Sequence, residues 1–258
     1  MGKIIAITNQ KGGVGKTTTS INLAASLAHM KRKVLLLDLD PQGNATVGSG
    51  ITKNMIRYTS DQVLCENAAL KDAILHSPAG FDVLPTRQEL IVAEMHLLQQ
   101  PEREHILKKL LAPLIKDYDY LLIDCPPSLN ILTVNALTAA NSVLIPIQCE
   151  YFALEGLSGL LSTIDQLQHT VNPDLHIEGL LRTMYDGRNK LALDVSEQLL
   201  THFNDRVYRT VIPRNVRLAE APSHGKPVIQ YDGKSQGAIA YLTLAGEIVR
   251  RADNKSKN

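Results

Sequence analysis

The residues best equipped for chemistry lie near the amino end. There Gln10-Lys11-Gly12-Gly13-Val14-Gly15-Lys16-Thr17-Thr18 follows the apolar run Lys3 to Thr8 and leads directly into a segment with helical spacing. Glycines let a backbone curl until successive N–H groups face inward. A helix starting at once adds positive potential at its amino end, and together these make a cradle for phosphate oxygens. In such a cradle Lys16 neutralises the terminal phosphates of a nucleotide and the Thr17 hydroxyl ligates Mg²⁺. The sequence departs from the usual G-x-x-x-x-G-K-[ST] pattern in two ways: Gln10 stands where the first glycine belongs, and Lys11 adds a second cation.

Two further runs end in carboxylates. Leu35-Leu36-Leu37 is followed by Asp38-Leu39-Asp40-Pro41-Gln42-Gly43-Asn44-Ala45-Thr46, and Tyr120-Leu121-Leu122-Ile123 by Asp124-Cys125-Pro126-Pro127. Ligands of open α/β sheets bind just beyond the carboxyl ends of the strands, so Asp38 and Asp40 are expected beside the phosphates, with Asp38 a metal candidate. An apolar strand ending in Asp is the Walker B pattern, in which Asp124 holds Mg²⁺ directly or through water. Pro126 and Pro127 cannot continue a strand ladder and mark a fixed loop.

The elements that must position these groups are short buried strands alternating with helices. Strand-like runs fall at Lys3 to Thr8, Lys33 to Leu37, Tyr120 to Ile123, Ser142 to Ile147 and Ile177 to Leu181. Helical spacing covers Thr17 to Met30, Glu102 to Lys116, Leu129 to Ala139, Leu154 to Val171, Leu191 to Phe203 and about Gly237 to Arg250. Strands apolar on both faces imply a parallel sheet covered on both sides, hence a doubly wound α/β fold. Gly48 to Arg87 reads as short helices and loops. No linker or repeat divides residues 1–258, so a single domain is expected, with the polar tail 251–258 frayed.

Composition agrees with a globular chain: 258 residues, 44% apolar, 27 Lys+Arg against 26 Asp+Glu. The near balance excludes a disordered acidic or basic protein and gives no global sign of a polyanion partner. Cys65, Cys125 and Cys149 are too scattered for a disulfide framework or metal cluster. There is no secretory signal and no membrane-spanning run, and a cytoplasmic location is expected.

With these motifs in place the chain resembles the ParA/Soj partition ATPases of the deviant Walker A group. The resemblance rests on KGGVGKTT at Lys11 to Thr18, DLDPQGNAT, DCPPSL, the stretch Gln148 to Gly156, and Ile212-Pro213-Arg214-Asn215-Val216-Arg217-Leu218-Ala219-Glu220-Ala221-Pro222. It covers nearly the whole chain. No helix-turn-helix segment precedes Met1, so operator-specific repression is not expected.

The resemblance implies an ATP- and Mg²⁺-dependent sandwich homodimer that binds double-stranded DNA without sequence preference. A ParB-like centromere-binding partner stimulates hydrolysis and releases the dimer. It implies that Lys11 reaches the partner protomer's nucleotide, that Asp40 orients the hydrolytic water, and that Pro213 and Asn215 lie against adenine. Arg188 and Arg217 match positions used for DNA, within a basic set that also includes Arg182, Lys190, Arg206, Arg209, Arg214, Lys226 and Lys234. Nucleoid association follows from that role.

Related ATPases with other roles fit less well. The last helix carries Ile239, Leu242, Ala245, Ile248 and Val249, which suits core packing, and the tail beyond it has no bulky apolar residue. Both features argue against the membrane helix of MinD-type proteins. The cysteine ligands of iron–sulfur relatives and the tyrosine cluster of bacterial tyrosine kinases are missing.

Overall fold

A computed structural model of the chain describes residues 2–66 and 68–255. In chain order the strands are β1 (Lys3–Ile7), β2 (Val34–Asp38), β3 (Leu75–His76), β4 (Asp82–Leu84), β5 (Tyr120–Asp124), β6 (Ser142–Gln148), β7 (His176–Tyr185) and β8 (Val207–Pro213). The helices are α1 (Lys16–His29), α2 (Asn44–Gly48), α3 (Ser60–Cys65), α4 (Leu70–Ala73), α5 (Leu90–Leu97), α6 (Ile106–Leu111), α7 (Ile131–Ala139), α8 (Ala153–Thr170), α9 (Lys190–Phe203), α10 (Val216–Glu220), α11 (Val228–Tyr231) and α12 (Gln236–Lys255). The strands form one sheet in the order β3-β4-β2-β5-β1-β6-β7-β8, parallel except for the short β3–β4 pair.

Alternation along each strand divides the core into two layers. Ile4, Ala6, Leu35, Leu37, Leu121 and Ile123 face one way, toward apolar residues of α5 to α9. Ile5, Ile7, Leu36, Leu122 and Leu144 face the other, toward α1 and α12. Because both faces are covered, these strands are apolar throughout, which is why the doubly wound sheet was legible in the sequence.

The structure adds elements that the periodicity did not give. β3 and β4 span two and three residues, too short to show a period. β8 is an edge strand whose burial is interrupted at Arg209, so it lacks a continuous apolar run. The helix expected over Glu102 to Lys116 contracts to α6, with tight 3₁₀ turns at Arg103–His105 and Ala112–Leu114, the second containing Pro113. A proline ring cannot sit within a continuing helix without losing a backbone bond.

The last helix runs on through Lys255 rather than ending near Arg250. Arg251 holds its final turns: Nη2 donates to Glu247 Oε1 (2.8 Å) and to the Val207 carbonyl (3.1 Å), and the guanidinium lies 4.3 Å from the Tyr208 ring centre. The fraying expected from residue 251 is therefore not seen up to Lys255, and residues 256–258 lie outside the described residues.

Candidate active site

Sheet register brings the sequence motifs to one level. Ile7 on β1 and Asp38 on β2 both pair with Asp124 on β5, so the phosphate loop and the two carboxylate segments leave three adjacent strands side by side. The loop then turns through Gly13 (φ 75°) and Gly15 (φ 87°), left-handed conformations that a side chain would strain. Lys16 opens α1 and its buried ammonium donates back to the Lys11 carbonyl at 3.1 Å. Burial lowers the Lys16 pKa, while Asp124 and Asp40 pull it upward.

Neighbouring strands fix the loop. Thr183 on β7 donates to the Val14 carbonyl (2.8 Å), and Asn9 donates to the Pro146 carbonyl (2.8 Å) while accepting from the Lys11 backbone N–H (3.0 Å). Gly12 sits exposed with open space around it, and Thr18 is half-buried, its carbonyl accepting from Asn22.

The carboxylates are buried and closely held. Asp124 accepts from Thr17 Oγ1 (2.8 Å) and Ser20 Oγ (2.7 Å). Asp38 Oδ2 accepts from the backbone N–H and the hydroxyl of Thr46, each at 2.7 Å, and its Oδ1 from the Asp40 N–H at 3.2 Å. Burial pushes Asp38 up to about 6 and Asp124 up to about 8, and repulsion between neighbouring carboxylates adds to both. Asp40, at the mouth, accepts from the Gln42 N–H at 3.0 Å. Thr17, Asp124 and Asp38 are hard oxygen donors, the kind Mg²⁺ takes when its other ligands are phosphate and water.

Lys11 takes a partner outside the phosphate loop. Its ammonium is 2.7 Å from Glu150 Oε2, with the two side chains 38% and 47% exposed. Pro213 ends β8, and Asn215 caps α10 by accepting from the Arg217 N–H at 3.0 Å, which leaves its amide nitrogen unbonded among the described residues.

The arginines divide. Arg188 projects into solvent, 90% exposed, but pairs with Asp186 through Nη2–Oδ2 at 2.8 Å and Nε–Oδ1 at 2.9 Å. Arg217 pairs with Glu220 (2.8 Å) and Asp232 (3.3 Å). Arg182 does not belong to any exposed basic set: it is buried, donating to Ser196 and to the Tyr208 and Arg209 carbonyls.

Four residues of this site drew no role from the sequence: Ser20, Thr46, Glu150 and Thr183. Ser20 was readable as one turn beyond Lys16 on α1. Glu150 and Thr183 meet Lys11 and Val14 from parts of the chain distant in sequence, and Thr46 folds back to Asp38 through the turn after β2.

A family model described as an AAA domain matches residues 2–177. The chain is 55% identical over 249 residues to the sporulation initiation inhibitor protein Soj of Bacillus subtilis, covering 96% of this chain and 98% of that one. It is 49% identical over 252 residues to the chromosome-partitioning ATPase Soj of Treponema pallidum, covering 97% and 98%. Among solved structures it is similar to cobyrinic acid a,c-diamide synthase of Mycobacterium smegmatis with bound ADP and magnesium, with a TM-score of 0.86, 38% identity and 98% and 96% coverage.

Proposed function

Since the chain belongs to the ParA/Soj family of chromosome-partitioning ATPases, we propose that it hydrolyses ATP with Mg²⁺ to drive DNA segregation, working as a single catalytic unit over its length. The observation that carries this reading is the convergence of Lys16, Asp38, Asp40 and Asp124 at the carboxyl ends of adjacent strands beneath a glycine loop.

In this reading Gly12 to Thr18 wrap the phosphates with backbone N–H groups, and Lys16 swings from the Lys11 carbonyl to the β- and γ-phosphates. Thr17, whose hydroxyl donates to Asp124, Asp124 itself and Asp38 are the residues that would hold Mg²⁺. The chemistry such an ion would supply there is charge neutralisation on the phosphates. Asp40 is held at the mouth by the backbone of its own turn and orients the attacking water. Pro213 packs against adenine and the free amide of Asn215 donates to it.

Lys11 leaves Glu150 to reach the nucleotide of a second protomer, so ATP occupancy and homodimer formation are linked. The dimer binds double-stranded DNA nonspecifically through Arg188 and Arg217. Each exchanges a carboxylate for a phosphate, so the binding weakens steeply with salt. A ParB-like centromere-binding protein stimulates turnover and releases the dimer; the location is cytoplasmic, at the nucleoid. No helix among the described residues is long and apolar enough to cross a membrane, and no membrane role is proposed.

The test is Asp40→Ala, measured for ATP turnover and for retention on DNA. The expected variant hydrolyses no ATP yet stays dimeric on DNA with ATP. Turnover equal to wild type refutes the role of Asp40. Arg188→Glu with Arg217→Glu should lose DNA retention and keep ATP-driven dimers; loss of both properties would make these arginines structural.

A further inference from the structure

Behind the Pro41–Gly43 turn lies a second cleft of about 950 Å³ that no residue of the phosphate loop or of Pro213–Asn215 lines. Its walls come from the turn and α2 on through Ile56, the segment from Thr86 to Glu89, and the loop from Pro222 to Lys226, together with Pro78 and Gln230. The volume is in the range of small-ligand sites. Its charge is lopsided: Lys53, Arg87, Lys226 and His224 line it with a single carboxylate, Glu89, and none of the three permanent cations makes an ion pair among the described residues.

Arg87 is the informative member. Its Nη2 donates only to carbonyls, those of Lys53 (3.1 Å) and Ile56 (3.5 Å), and its Nε is buried with no acceptor. Nη1 makes no hydrogen bond among the described residues, so the guanidinium, lining the cleft and without a carboxylate, has donor capacity that an oxyanion suits. The two exposed lysines at the rim supply the remaining charge that a phosphate group calls for.

The cleft is wired to the carboxylates. Thr86, next to Arg87, donates its backbone N–H to Thr46 Oγ1 at 3.0 Å, and Thr46 supplies both 2.7 Å bonds to Asp38 Oδ2. Thr46 and Thr86 both line the cleft. A ligand drawing Arg87 inward therefore acts on the residue pair that sets the Asp38 carboxylate.

We infer that this cleft binds a phosphate-bearing small molecule, separate from the nucleotide in the phosphate loop, and that its occupancy reaches Asp38 through Arg87, Thr86 and Thr46. Binding is measured without turnover and stands apart from the partition role, whereas the coupling rests on the ATPase reading. The full chain, its phosphate loop filled with one equivalent of ADP and Mg²⁺, is titrated with inorganic phosphate and with pyrophosphate by calorimetry.

One probe is expected per chain, with pyrophosphate the tighter. Arg87→Gln should weaken it about tenfold or more, and the rim variant Lys226→Gln, which leaves the fold intact, several-fold, on the scale of charge-assisted bonds. ADP affinity should be unchanged in both. Absence of binding, or binding that survives Arg87→Gln and vanishes in Lys16→Ala, overturns the site. For the coupling, ATP turnover should change with pyrophosphate in the wild type and not in Arg87→Gln. Thr46→Val should bind the probe without that response. Identical responses in wild type and Arg87→Gln refute the coupling.

Discussion

Glu150→Gln should tighten ATP-dependent dimerisation. In the isolated chain the Lys11 ammonium is held by Glu150 at 2.7 Å, and this bond must break before Lys11 can serve a second protomer's phosphates. Because the two side chains are 38% and 47% exposed, the pair belongs with partly solvated ion pairs, worth about 0.2–1 kcal/mol each. A symmetric dimer breaks two, so the substitution removes about 0.4–2 kcal/mol of opposition, roughly a 2- to 30-fold gain in association at about 1.4 kcal/mol per tenfold. The assay is sedimentation equilibrium with ATP in an Asp40→Ala background, where hydrolysis does not drain the dimer. The gain should shrink as salt rises, since screening already weakens the bond in the parent. In a Lys11→Ala background the substitution should do nothing, which makes the pair a double-mutant cycle. Unchanged or weaker association of Glu150→Gln, or the same gain without Lys11, refutes the latch.

Other substitutions and conditions give equally definite outcomes. Asp38 and Asp124 have folded pKa values raised to about 6 and about 8 from an ordinary 3.8, so the stability they contribute is complete at acid pH and is lost as pH rises through those values. Asp124→Asn should flatten this fall in urea titrations of the nucleotide-free chain between about pH 4 and 8. Binding of Mg²⁺ with ADP needs the ionised pair, so affinity should rise over the same window with proton release that calorimetry in different buffers detects. Ser20→Ala removes the 2.7 Å bond to Asp124 Oδ1 and should weaken Mg²⁺-dependent nucleotide binding by about 0.5–3 kcal/mol, checked by calorimetry with and without Mg²⁺. Gly179→Ala would place a Cβ 2.5 Å from the ring of fully buried Tyr208, at a cost of about 1–3 kcal/mol, seen as a Tm lower by several degrees.

The amino-acid sequence by itself determined the doubly wound class, the five central strands and the carboxylates that end two of them beside the glycine loop. Those strands are buried on both faces and mostly apolar, with Glu178 and Arg182 of β7 the charged exceptions away from the strand ends, and a glycine loop between strand and helix is a local pattern. Local pattern does not reach the edges: β8 has a half-solvated rhythm, β3 and β4 are too short for any rhythm, and α6 depends on where Pro113 falls. Sequence also showed a near-zero net charge with candidate cations but not their partners. Tertiary structure decided that Arg182 is internal, that Arg188 and Arg217 are carboxylate-paired, and that Lys11 rests on Glu150. It likewise placed Thr46 on Asp38 and an Arg87 without a carboxylate partner on the wall of a separate cleft. The physical reason is common to these cases: a side chain's charge and hydrogen-bonding capacity are properties of its residue type, whereas what satisfies them is fixed by strands and loops that only the folded chain brings together.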